Sequence, residues 1–206
     1  MPDIELLAGD LDGATVTLPA PAAIFVRTGR AIGGRAGPVG PGDGAYAPSG
    51  TVVTADVGSI VWVWLVGRSL SADLDGLRIL RRERVPFEHD RCLLRFDRVD
   101  SPPGGETPRH THAGPGLRRL VAGRIEAEIG RDRFEIMPDE VWFERGPDPV
   151  IGRSVGDVPA SFVRLLVLPP DLRGKPSYRP CDPAEAAKTN PVAYRLFFET
   201  DIELWA

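Results

Sequence analysis

The stretch RHTHAGPG, residues 109–116, sets His110 and His112 one residue apart between turn-rich flanks. Two imidazoles at that spacing share one face of a strand, where they suit half of a metal site or proton transfer near neutral pH. The chain has three histidines, the third being His89, so few ligand sets are available. The stretch EVWFERGPDPV, residues 140–150, offers Glu140, Glu144 and Asp148, and Glu106 lies on the approach to the histidine pair. His89 and Cys92 lie three residues apart in VPFEHDRC. At that spacing they face opposite sides of a strand, and no oxyanion-hole glycine pattern accompanies them, so they do not read as a nucleophile pair.

The elements that must position these residues are short. Among 23 Gly and 21 Pro, spread along the whole chain, lie β-branched or aromatic runs such as ATVTL, AIFVRTG, SIVWVWLV, RCLLRFDRV and SFVRLLVL. Short strands punctuated by turns predict an all-β sandwich or barrel. Helix form is confined to DPAEAAKT, residues 182–189, with Asp182 as N-cap and Pro183 in the first turn. The sequence also repeats. With TVTLPAPAAIFVRTGR (15–30) over RHTHAGPGLRRLVAGR (109–124), Thr17 meets Thr111, Pro21 meets Pro115, Gly29 meets Gly123 and Arg30 meets Arg124. Two extra residues in the next hairpin then set Asp43 over Asp139 and Gly50 over Gly146. Recurrence in order predicts a duplicated β unit.

Each copy resembles a cupin, the small double-stranded β-helix or jelly-roll barrel marked by G-x5-H-x-H-x3,4-E-x6-G and G-x5-P-x-G-x2-H-x3-N. Gly104, His110, His112 and Gly123 match the first motif in the second copy, and Gly42, Pro48 and Gly50 match the second motif in the first copy. The resemblance covers roughly residues 10 to 66 and 90 to 168 and implies a bicupin. The expected division is a degenerate N-terminal barrel over 1–85, a C-terminal barrel with the site over 86–170, and an extension over 171–206. That extension should carry the short helix and one or two edge strands in YRLFFETDIELWA (194–206).

In cupins the two motif-one histidines, the motif-one glutamate and the motif-two histidine hold the metal, commonly Fe, Mn, Ni or Zn. Here His110 and His112 are present, Gly116 stands at the glutamate position and Pro149 at the second histidine. The first copy has Val16, Leu18, Ala22 and Val53 at the four places, which predicts plain core. A rebuilt site would use His110 and His112 with Glu144 as third ligand; the alternative places Glu144 on the surface. Parity puts Arg118 on the inward face with Gly116 and Leu120. A guanidinium there repels a bare cation and suits a carboxylate or phosphate ligand, or else pairs with a glutamate of EVWFE.

The resemblance thus implies a small-molecule pocket in the second barrel around His110, His112 and Arg118. With a metal it is dioxygenase- or isomerase-like; without one, a histidine acts as acid or base and Arg118 anchors an anionic substrate. The rival expectation is a non-enzymatic binding or sensory module. The net charge of −4 argues against a nucleic-acid surface. No apolar run reaches the ~20 residues of a membrane span. The arginine-rich LRILRRER (77–84) reads as a solvated edge face. Cys92 and Cys181 are expected to be free thiols. The acidic N-terminus lacks a signal pattern, which points to the cytoplasm, and the need to cover barrel edges points to a homodimer.

Overall fold

A computed structural model describes residues 3–33, 37–71 and 73–204. The chain divides into two compact units: one runs through Cys92 and takes up the chain again from Thr200, and the other is Leu93–Glu199. Residues beyond 170 therefore do not stand apart from the two units.

The first unit holds β1 (Asp3–Asp12), β2 (Thr15–Thr17), β3 (Ala22–Thr28), β4 (Ala31–Ile32), β5 (Pro38–Val39), β6 (Gly44–Ala47), β7 (Val52–Ala55), β8 (Ile60–Gly67) and β9 (Leu77–Pro86). One sheet has the order β6-β3-β8-β1-β9 and the other β2-β7-β4-β5, with antiparallel pairing. Inward side chains alternate along the strands. Val16, Leu18, Ala22, Ile24, Val53, Val63 and Leu65 meet in one buried apolar cluster. All four positions that carry ligands in a cupin are thus core, as their residue types predict. On the edge strand β9 the arginines are paired, Arg78 with Asp10 at 2.6 Å and Arg82 with Glu5 at 2.8 Å, which makes LRILRRER a solvated edge.

The following part of the chain holds β10 (Arg91–Ser101), β11 (His110–His112), β12 (Gly116–Ala122), β13 (Ile125–Ile129), β14 (Asp132–Ile136), β15 (Val141–Glu144), β16 (Val150–Ser154), β17 (Ala160–Leu168), β18 (Tyr178–Pro180), α1 (Pro183–Ala186) and β19 (Ala193–Glu203). Its sheets are β15-β12-β17-β10-β19 and β14-β13-β16-β11-β18. Strand for strand this is the order of the first unit, with β18 added beside the histidine strand. Even the irregularities recur: the register slips between Val26 and Thr28 on β3 and between Leu120 and Ala122 on β12. Gly29 and Gly123 follow those slips with φ of 75° and 77°, a region that glycine enters at no steric cost.

One feature of the expected alignment is corrected. Ala22 pairs with Ala47, whereas Gly116 pairs with Glu144, so the second hairpin is three residues longer rather than two. Its turn superposes Gly42 on Asp139: both have left-handed φ, 76° and 72°, and each N–H donates at 2.8 Å to the carbonyl of the equivalent Val26 or Leu120. The counterpart of Val53 is then Val150, directly opposite His110, and not Pro149.

The predicted helix is present as α1, with the Asp182 side chain accepting from the Glu185 N–H at 3.0 Å. The terminal run forms a single strand, β19; Trp205 and Ala206 lie outside the described residues. Both cysteines are free, Cys92 buried and Cys181 exposed. No helix is long and apolar enough to cross a membrane among the described residues.

Candidate functional site: the polar interior of the second barrel

Registry places a polar row where the first barrel has an apolar one. Across adjacent strands of the second unit, Asp97 lies opposite Arg164, Arg164 opposite Arg118, and Arg118 opposite Trp142. The equivalent row in the first unit is Gly9, Val63, Ile24 and Ala45. All four members of the polar row are buried, Arg118 to 1 % exposure. Arg118 thus faces inward, as its parity predicts.

Burial of charge is tolerable only when each charge has a partner. Arg164 is held bidentately by Asp97, at 2.7 and 3.1 Å. Arg118 donates to the Gly116 carbonyl at 2.7 Å, and its Nη2 stands 2.6 Å from Glu144 Oε2. That last contact lies outside hydrogen-bond geometry, so it is a charge contact. Trp142 Nε1 donates to the other carboxylate oxygen at 3.0 Å. Glu144 is therefore an interior carboxylate at 5 % exposure, and the surface alternative falls. Burial lowers the Arg118 pKa to about 10, opposed by the Glu144 charge. For Arg164 burial also pulls downward, but the charge and hydrogen bonds of Asp97 outweigh it and raise the pKa.

Both motif histidines point inward and are buried, with rings edge to face at 4.9 Å. His110 Nδ1 lies 2.8 Å from the Pro108 carbonyl, an acceptor only. That nitrogen therefore carries the proton, and Nε2 is left as a lone-pair acceptor. His112 Nε2 lies 3.6 Å from Glu144 Oε2, and its Nδ1 3.4 Å from Ser177 Oγ. Burial lowers the pKa of His110, with the Pro108 hydrogen bond opposing. Burial, then the Arg118 charge, carries His112 well below its ordinary value. Both are neutral at pH 7.

The site uses residues that motif reading does not reach. The added strand β18 pairs with β11, His112 opposite Tyr178, and the Tyr178 ring stacks on His110 at 4.4 Å between centroids and 25°. A cavity of about 60 Å³ is lined by His110, Arg118, Trp142, Glu144, Ser154 and Tyr178, with others. Among the described residues the buried hydroxyls of Tyr178 and Ser154 have no hydrogen-bond partner. Arg164 and Asp97 were visible in the sequence as charges inside the apolar runs SFVRLLVL and RCLLRFDRV.

A divalent metal needs several deprotonated donors converging on one open point. Here the carboxylate nearest the histidines is already taken by a guanidinium, a fixed positive charge at the place where donors converge. A glutamate could not return at Gly116: a Cβ there would meet Leu165 O at 2.6 Å and Arg118 Nη1 at 3.3 Å. Val150 stands opposite His110 where the first barrel has Val53. No group of three or more His, Cys, Asp or Glu is arranged to hold a metal ion among the described residues. The expected triad of His110, His112 and Glu144 is not assembled, and the residues do not fit the metal. Of the other acidic candidates, Glu106 pairs with Arg153 at 2.6 Å on the surface and Glu140 accepts from the Met137 N–H at 2.8 Å. His89 is exposed and packs on Phe87.

No protein-family model matches the chain, and no curated protein matches it. Solved structures do. AerE from Microcystis aeruginosa is similar at TM-score 0.55 and 13 % identity, over 82 % of this chain and 88 % of that one. The cupin 2 conserved barrel domain protein from Leptotrichia buccalis is similar at TM-score 0.51 and 10 % identity, over 81 % and 85 %. Oxalate decarboxylase of Bacillus subtilis, a protein with Mn(II) centres, is similar at TM-score 0.61 and 11 % identity, over 91 % and 78 %. At such identities the likeness carries the fold and not the chemistry. The chain thus takes the fold of the cupin superfamily in duplicate, and of its two barrels the second carries the polar interior.

Proposed function

We propose that the protein is a small-molecule binder whose ligand sits beside His110 in the second barrel and is held by side chains alone. The observation that carries this is the pair of partnerless hydroxyls, Tyr178 and Ser154, lining one cavity with His110. Buried polar groups without partners are costly, and a ligand with both donors and acceptors relieves that cost. The cavity of about 60 Å³ takes roughly four non-hydrogen atoms on the scale of one water per ~15 Å³. Since Arg118 and Arg164 each have a carboxylate, a neutral ligand adds no unmatched charge. This favours a neutral head group over the anionic one that a bare arginine would select.

The test is an NMR titration of the untagged protein with acetamide and, separately, acetate. Acetamide should shift the His110 and Tyr178 resonances saturably, and Tyr178→Phe should weaken it about tenfold, the worth of one well-made hydrogen bond of ~1.4 kcal/mol. Tighter binding of acetate restores the anionic reading. No saturable shift with either defeats the proposal.

A second reading, an enzyme that moves a proton on such a ligand, is supported by the tautomer of His110. Its Nε2 is a buried neutral base fixed by the Pro108 contact. Hydroxyacetone in D2O should then lose α-hydrogen signal catalytically, and His110→Gln should abolish the loss. Exchange at the buffer rate leaves binding alone.

A further inference from the structure

The inner cavity shares part of its lining with a larger space. A cleft of about 430 Å³ lies outside it, with Lys175, Pro176 and Leu196 among its lining. Arg164, Tyr178, Asn190 and Tyr194 line both spaces. These four are the shared wall, or neck, and contacts hold them. Arg164 is clamped by Asp97, and its guanidinium lies 5.3 Å from the Tyr194 ring centroid. The Asn190 side chain reaches the Tyr194 hydroxyl at 3.4 Å.

We infer that the two chambers form one elongated ligand site, taking a molecule with a small neutral polar head and an unbranched apolar body. The inference rests on the binding proposal above, which supplies the head-group site. The inner chamber is too small for more than the head. Among the polar and charged lining of the cleft, Tyr194 and Leu196, two apart on β19 and therefore on one face, leave large side chains 51 % and 55 % exposed. Two of the three cations bordering the cleft are matched, Arg95 by Glu199 at 2.6 Å and Arg164 by Asp97, and Lys175 is the third. The exposed apolar area of Tyr194 and Leu196 rewards an aliphatic tail.

The experiment is a titration of the full chain with straight-chain primary amides from acetamide to hexanamide, read by NMR. The amides should tighten about two- to fourfold per added CH2 once the chain passes the neck, the upper value being full burial of each CH2. Leu196→Asp, at a side chain more than half exposed, should flatten that series and leave acetamide within twofold of its wild-type affinity. Binding of acetamide with no gain along the series overturns the two-chamber inference and leaves the head-group site standing. A gain that survives Leu196→Asp also overturns it, since the tail then lies elsewhere. Failure of every amide, acetamide included, brings down both readings together.

Discussion

Arg118 and Arg164 stand directly opposite one another on β12 and β17, where the first barrel sets Ile24 opposite Val63. Like charges in cross-strand register are destabilising, and burial adds to the cost. The second barrel tolerates them because Glu144 and Asp97 each take one guanidinium. The two barrels thus share one strand pattern, with an apolar row in the first and two ion pairs in the second.

Removing one partner from such a pair should cost more than removing both. Glu144→Ala leaves Arg118 buried without its charge partner and should lower unfolding free energy by about 3–5 kcal/mol. Arg118→Ile with Glu144→Ala restores the residues that the first barrel has at Ile24 and Ala47. Urea denaturation should show the double variant closer to wild type than the single one. Equal losses would mean that Glu144 does not compensate Arg118.

Stability should depend on pH through the two histidines. Both have folded pKa values below the ordinary 6.5, mainly through burial. As pH falls below about 6.5 the unfolded chain takes up protons that the folded chain refuses, so stability declines. Above that value both states hold neutral imidazoles and the dependence vanishes. Urea midpoints between pH 5 and 8 should rise and then level off, and His112→Gln should shallow the acid limb. An unchanged limb would place that titration elsewhere.

The two thiols should differ sharply in reactivity. Burial raises the Cys92 pKa to about 12, and thiolate is the reactive form, whereas Cys181 is exposed. A thiol reagent at pH 8 should modify Cys181 alone in the native protein and both after denaturation. Rapid native labelling of Cys92 would contradict the burial of β10.

Much of this was legible in the residues, and the failures have physical causes. The duplication, the inward parity of His110, His112 and Arg118, and the Asp182 cap follow from periodicity and turn chemistry, which are local. The hairpin register was not legible. Letter matching aligns Asp43 with Asp139, but the backbone aligns Gly42 with Asp139, because aspartate tolerates the left-handed turn that glycine occupies in the other copy. The extra strand β18 was hidden because SYRP lies among loop-forming residues and pairs only through β11, a non-local contact. Glu144 was ambiguous on the same ground: its inward aim depends on the three added residues.

Metal uptake by the untagged protein tests the central claim most directly, namely that ion pairs hold the second barrel's interior where a cupin metal would require free donors. With micromolar Zn(II) or Co(II) and elemental analysis after desalting, metal should be substoichiometric, and no different in His110→Ala with His112→Ala. Near-stoichiometric metal that disappears in that double variant would contradict it.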